Sequence, residues 1–497
     1  MPVPVPGRAP AIEVGPDLRL LLLAFAGVAA LGLIGAWVAP IALYAAGAAM
    51  LALFVALAWR APRVAIVALV LTPIVDRYLL SLLLPRSLES VSTIFSELLL
   101  LVVGTTVAAR AARDGTLWPA LRHPAVAVLL AFTGVAAASA VVNGVSPMVA
   151  GAGIAFTVDA AALFVLPRMA RFGIRDLEGA ISLFLGLATA AAVLALGQVI
   201  LHPDLFGLHT VGGAFGEGLR VASFLGNPNM LATVLGMAVP FAAIRTARAG
   251  VSPGGALGAL VTLVLVMAML YAFSRGTWLA LGIGMLVIGL VLERRALVVV
   301  IIAGGLAFGA AHVIPRELLL PASERHRFDF LEATFGRIDA IGEGRDLRFL
   351  FVANAAPIIA DHPWIGAGPG RYGGAVAARV GSPLYDTYTD GRVPLGRTVD
   401  NFWLHALVEF GAVGVILLLT AIGGTVLALV RTARTAPPRA RGVLAGAAAA
   451  GIILAAVSLT EMVLEGNTTA FAMWFWLGAA SVIPLGAGGP DAGSPSD

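Results

Sequence analysis

Apolar runs of about 20 residues, the length that crosses a bilayer as a helix, recur along most of the chain. They lie near 19–38, 41–59, 64–84, 91–109, 124–142, 149–167, 177–200, 229–246, 256–273, 277–293, 296–314, 402–430, 441–459 and 467–486. The runs are continuous rather than alternating, a pattern that predicts helices and not a barrel. The pattern breaks at length only once, from Pro315 to Asn401. Irregular backbone of that length leaves N–H and C=O groups unpaired in hydrocarbon at several kcal/mol each, so this stretch is expected outside the bilayer or lining a cavity. The chain is thereby divided into a cytoplasmic N-terminal tail (1–18), N-terminal transmembrane helices (19–314), an extracytoplasmic loop region (315–401), C-terminal transmembrane helices (402–486) and a disordered tail (487–497). The expected fold is an all-α integral membrane protein, a polytopic bundle of about 12–14 transmembrane helices with one long extracytoplasmic loop.

Composition sharpens this picture. Apolar residues make up 59% of the chain and charged residues 12%, against roughly 25% charged in soluble domains. There is no cysteine, which excludes disulfides, thiolate metal sites and a thiol nucleophile. The Pro-rich start, MPVPVPGRAPAIEVGPDLR, lacks a short apolar core followed by a small-residue cleavage site, so no removable signal peptide is expected. Basic residues in short loops face the cytoplasm. With Arg8 and Arg19 inside, the clusters at Arg60/Arg63, Arg110/Arg113/Arg122, Arg168/Arg171/Arg175, Arg245/Arg248, Arg294/Arg295 and Arg431/Arg434/Arg439/Arg441 all fall on the same side. This orientation places both termini in the cytoplasm.

What remains on the outer face carries the candidate chemistry. It comprises Asp76/Arg77, Arg86, the segment Leu201–Pro228 with Arg220, Ser274-Arg275-Gly276, the long loop with Arg348, and Glu461/Glu465. A lone Arg at a membrane edge is ordinarily a snorkelling anchor or an ion-pair partner. Several on one face suit a diphosphate, because the guanidinium offers a planar fork of donors to phosphate oxygens and stays protonated. If the substrate is a glycan on a polyprenyl diphosphate, these arginines would stabilise charge developing on the leaving group. No metal is needed if Arg does this work, and the seven scattered His show no HxxxH-type spacing. The attacking hydroxyl needs a base or acceptor, for which Asp400 is the leading candidate. Asp before an apolar run is also an ordinary helix N-cap, and the two roles are compatible. His405 and Glu409, at i and i+4, read equally as a buried pair and as catalytic groups. Gly366, Gly368, Gly370 and Pro369 form a tight loop that ends in Arg371; no strand precedes GAGPG, which rules out a nucleotide fingerprint. Asn227-Pro228-Asn229 reads as a turn that caps a helix, and Gly411 and Gly414 as sites of close helix packing.

Taken in order, RVASFLGNPNMLA (Arg220–Ala232), FSRGTWLA (Phe273–Ala280), GRDLRFLF…DHPWIGAGPGRYG and DNFWLHALVEFGAVG resemble the O-antigen ligase and polymerase superfamily of polytopic bacterial glycosyltransferases. The resemblance covers roughly residues 215–420 and includes an Arg fourteen residues before His-Pro, here Arg348 and His362. It implies a cofactor-free, metal-independent enzyme of the broad glycosyltransferase C (GT-C) membrane architecture, in the bacterial cytoplasmic (inner) membrane with its active site outside. It would take an undecaprenyl-diphosphate-linked glycan donor and a glycan or lipid A-core acceptor, among membrane lipids and with no nucleic acid. It also implies that Arg220, Arg275 and Arg348 face the lipid-linked diphosphate. The expected site therefore has Asp400, Arg348 and Arg275 as catalytic residues, and Arg220, Asn229, His362, Arg371, Asn401 and His405 in substrate binding. One departure is that ligases typically carry His before the Asn of the last motif, where this chain has Asp400-Asn401; this favours polymerisation over transfer to lipid A core. A transporter of polysaccharide or lipid-linked glycan is the alternative, but it would place its polar groups near the bilayer midplane. A structural scaffold leaves the outer-face arginines without a purpose.

Overall fold

A computed structural model of the chain describes residues 27, 40–83, 89–202, 205, 211–212, 219–313, 347–389 and 398–483. The run near 19–38 (Gly27 apart), Arg86 and both terminal tails lie outside the described residues, as do 314–346 and 390–397. In chain order the helices are α1 (Pro40–Arg60), α2 (Pro62–Leu83), α3 (Glu89–Arg113), the short α4 (Leu117–Leu121), α5 (Pro124–Val142), α6 (Pro147–Val158) and α7 (Ala162–Met169). α8 (Ile174–Ile200) precedes a two-residue antiparallel ladder of β1 (Val211–Gly212) and β2 (Leu219–Arg220), with Val211 opposite Arg220. Four helices follow: α9 (Pro228–Ala249), α10 (Pro253–Tyr271), α11 (Arg275–Val291) and α12 (Arg294–Val313). Within the polar interruption lie α13 (Leu347–Asp361), α14 (Ala375–Val380) and α15 (Pro383–Thr389); α16 (Phe402–Thr435), α17 (Pro438–Val457) and α18 (Asn467–Ala480) complete the fold.

The sequence signals for these starts are local. Proline opens α5, α6, α9 and α10 in the first turn, where its missing N–H has no helical partner to lose. The side chains of His123, Ser146, Asn227 and Ser252 cap the same four helices by accepting backbone N–H groups. Nine helices among the described residues are long and apolar enough to cross a membrane, from Phe95–Arg113 to Pro438–Val457. Each coincides with one of the apolar runs, and the protein is an all-α, multi-pass membrane protein. The run near 467–486 differs: it forms only the 14-residue α18, about 21 Å long, short of a hydrocarbon core of about 30 Å. Thr469 through Ala480 are all buried, so α18 is an interior helix packed on every face.

The centre of the bundle is α9 and α17, buried over 83% and 78% of their apolar windows, whereas α12, at 22%, is largely exposed. Small residues make the central approach possible. Gly446 of α17 lies against the Phe241 ring of α9, and Gly284 of α11 against Ile453 of α17. Trp476 of α18 fills the core beside them, its ring centroid 5.1 Å from Phe241 and 5.5 Å from Phe184.

Candidate functional site

Two polar constructions meet at one end of this bundle. The first surrounds the start of α9. Gly226 takes a left-handed φ of 65°, and Asn227 then accepts N–H groups from Asn229 and Met230 at 2.8 and 3.2 Å. The expected capping turn is therefore formed by Asn227. Arg220 is half-buried; its Nε donates to the Ala272 carbonyl at 2.8 Å and its terminal nitrogen to Asn229 Oδ1 at 2.5 Å. Arg220 and Asn229 are thus joined to each other and to the end of α10. Arg275 stands three residues beyond Ala272, at the first position of α11, and Ser274 Oγ lies 3.0 Å from Thr277 Oγ1. Gly276 abuts Thr460 in the turn between α17 and α18, and a Cβ there would overlap the Thr460 hydroxyl.

The same turn reaches the second construction. The Ser458 carbonyl accepts the N–H of Phe402 at 2.9 Å. Asn401, not Asp400, is the N-cap of α16, accepting the Leu404 N–H at 3.0 Å. Asp400, expected to share that role, is left half-buried just before the cap with a φ of 49°, and among the described residues its Oδ1 receives only a long contact of 3.4 Å from Thr398. Ser223, Phe273 and Asp400 are three of the four non-glycine residues with positive φ among the described residues, and all three lie at this end. Such conformations cost on the order of 1–3 kcal/mol each and persist where surrounding structure enforces them.

Below Asp400, α16 is interrupted. Gly411 adopts φ 65°, ψ −174°, which breaks the i to i−4 hydrogen bonds of Ala412 to Val408 and of Val413 to Glu409. The loop after α13 replaces each lost partner. Ala367 and Gly368 donate to the Val408 and Glu409 carbonyls at 2.8 and 3.1 Å, while Ala412 and Val413 donate to the Pro363 and Trp364 carbonyls at 2.9 and 3.1 Å. These four backbone groups are all satisfied, as buried polar groups must be. Gly366 and Gly411 face one another so closely that a Cβ on either would overlap the other strand's backbone. Ser139 and Asn143 at the end of α5 donate to the Gly366 carbonyl at 3.2 and 3.0 Å.

Three ionisable side chains fix the rest of this loop. Glu409 accepts N–H groups from Gly370 and Tyr372 at 2.6 and 2.7 Å. His405 lies with Nδ1 2.5 Å from the Tyr372 carbonyl and Nε2 3.0 Å from Glu465 Oε1. Glu465 accepts the Ala375 N–H at 3.0 Å, at the start of α14. His405 and Glu409 are both 1% exposed, so the pair foreseen from their spacing is an interior one. Burial pushes the Tyr385 phenol up to about 12, and burial also raises Tyr372, so both hydroxyls are protonated at neutral pH. Tyr372 donates to the Phe351 carbonyl at 2.6 Å and Tyr385 accepts the Gly373 N–H at 2.8 Å.

The remaining candidates are more dispersed. Arg371 donates to the Asn143 and Ala367 carbonyls, both at 3.2 Å. Arg348 belongs to the first turn of α13, with its side chain outside the described residues, and His362 follows the last residue of that helix. Their fourteen-residue separation is about 21 Å along the axis, so the two bracket α13 instead of meeting. Sequence reasoning missed Asn143 as a loop anchor and gave Glu465 no partner; neither pairing has a local signature.

Residues 259–419 match the family model described as O-antigen ligase. This segment, about a third of the chain, is similar to the O-antigen ligase and polymerase superfamily. The matched segment includes Arg275, Arg348, His362, Arg371, Asp400, Asn401 and His405, along with the Gly411 break and the loop that fills it. Arg220, Asn229 and Glu465 lie outside it and join the site through the fold. No curated protein sequence matches the chain. The match supports an O-antigen ligase or polymerase-like function in general, on glycan-linked substrates in a membrane setting.

Proposed function

We propose that this protein transfers or polymerises glycan from a polyprenyl diphosphate, of the undecaprenyl type, onto a sugar hydroxyl at the extracytoplasmic face of the bacterial cytoplasmic membrane. The observation that carries this reading is the convergence, within and beside the family segment, of Arg220, Arg275 and the strained Asp400-Asn401 turn around residues 458–460. The acceptor oxygen attacks the anomeric carbon and the bond from that carbon to the diphosphate oxygen breaks. The leaving diphosphate takes the bonding pair, and the hydroxyl proton passes to Asp400. Arg275 and Arg348 stabilise the charge gathering on the diphosphate, and Arg220, held by Asn229 and the end of α10, orients it. His362 and Asn401 contribute polar contacts to the glycan, and His405 acts through the loop it supports. The basic loops at the other end support an orientation with this end outside the cytoplasm.

Purified protein in vesicles, supplied with a polyprenyl-diphosphate-linked glycan and a sugar acceptor, tests these roles. Arg275→Ala and Arg348→Ala are each expected to reduce transfer by roughly 100-fold or more, as loss of a transition-state charge partner does. Arg275→Lys should restore little, because an ammonium cannot form the bidentate fork. Near-normal product from either alanine variant would remove that arginine from the mechanism.

A further inference from the structure

The end of the bundle away from Arg220 and Asp400 holds a second polar feature. α9 starts beside Arg220, and its 22 residues carry the chain about 33 Å, a membrane thickness, to Ala249. There a cavity of about 1180 Å³ opens between α8, α9, α11, α12 and α17. Arg245, Arg248, Arg294, Arg295, Arg439 and Arg441 line it, with only Glu178 and Glu293 as counter-charges, a formal excess of 6 − 2 = +4.

The two carboxylates are already engaged. Arg439 pairs with Glu178 through two nitrogens, and Arg248 pairs with Glu293. Arg245 donates to the Glu178 carbonyl and Ser182 hydroxyl at 3.1 and 3.0 Å, and Arg441 to carbonyls at the end of α16. Arg294 and Arg295 are exposed at the rim and make no hydrogen bond or ion pair among the described residues. Basic residues that merely set orientation need only flank helix ends. Here they share the lining of a hollow with the apolar side chains of Ile181, Phe241, Ile244 and Leu290, of which Leu290 is exposed. Cationic and apolar side chains around one cavity match an amphiphile with an anionic head.

We propose that this cavity binds the phosphate headgroup of an acidic phospholipid, with Arg294 and Arg295 on the phosphate oxygens and an acyl chain against the Phe241 wall. Guanidinium groups suit phosphate geometry, and basic pockets between membrane helices recognise anionic lipid heads. The bound lipid would join α9, α12 and α17 at the end where their like charges otherwise repel. Inorganic phosphate shares the head's chemistry but leaves the apolar wall uncovered.

The test uses the full chain in nanodiscs of phosphatidylglycerol, of phosphatidylcholine, and of phosphatidylcholine with inorganic phosphate. Thermal unfolding and lipid retained after detergent extraction are read in each. Phosphatidylglycerol is expected to raise Tm above phosphatidylcholine and to remain bound through purification. The double variant R294Q/R295Q should bind it roughly 30-fold more weakly, at about fivefold per lost cation, and lose the Tm difference while unfolding normally in phosphatidylcholine. If the double variant does not fold, R294Q and R295Q singly should each give part of the loss. Equal Tm and retention in the two lipids, or variants that bind phosphatidylglycerol as the wild type does, would overturn the proposal. A variant-sensitive rise with inorganic phosphate alone would overturn the lipid assignment in favour of a soluble anion.

Discussion

Asp400 is the residue on which the proposed chemistry turns. Its position just before the cap leaves its carboxylate without the helix N–H partners that Asn401 takes, and its positive φ fixes the backbone in a region that few side chains tolerate. Asn is among the residues that adopt this region readily. Asp400→Asn therefore separates strain from charge: the fold is expected to unfold within about 0.5 kcal/mol of the wild type, as for other substitutions that leave no new cavity or buried charge. Transfer should fall by at least about 100-fold if the carboxylate takes the proton. Unchanged turnover with unchanged stability would show that Asp400 serves only the turn. His405 and Glu409 behave differently from Asp400. Both are buried against the Tyr372 backbone, and they act on the site by holding residues 370–375 in place.

At the scale of elements, the break in α16 is the decisive device. Residues 412–435 span about 36 Å, long enough to cross the hydrocarbon without Phe402–Phe410, which are then free to act as a platform for the site. The loop 363–368 can occupy the break only because Gly366 and Gly411 lack side chains. Gly411→Ala would meet both a positive φ and the Trp364 carbonyl, and is expected to cost about 2 kcal/mol or more, seen as a lower Tm and loss of transfer. Wild-type stability in this variant would refute the backbone-replacement account of the break. A second element-scale prediction concerns His123, which caps α5 through Nδ1 at 3.2 Å. Burial, with Arg168 nearby, holds its imidazole down at about 4. Its folded value lies below the unfolded one near 6.5, so the contribution is fully present above about pH 6.5 and is lost as pH falls toward 4. His123→Asn keeps a capping oxygen and should flatten the Tm profile between pH 7 and 4; an unaltered profile would show that another group titrates.

Across the whole molecule, what the sequence revealed depended on the range of the interactions involved. Long apolar runs announce their helices because burial or lipid contact acts on every residue of the run, and the nine spanning helices follow them closely. The helical spacing of His405 and Glu409 left a buried pair and catalytic groups as equal readings, and the structure buries both. The break at Gly411 was not, because ALVEFGAVG reads as uninterrupted helix and its partner loop lies more than forty residues earlier. Likewise the capping role passed from Asp400 to Asn401, a shift of one residue that hydropathy does not register. The molecule that results has a strained, arginine-bearing face at one end and a basic cavity at the other, joined by the buried α9 and α17. The most direct test of the central claim is the glycan profile of a deletion strain, with lipid-linked and surface-linked material separated by gel. Glycan transfer predicts a defect: long lipid-linked chains without surface product for a ligase, or single repeats without a ladder for a polymerase. An unchanged profile in both fractions would contradict it.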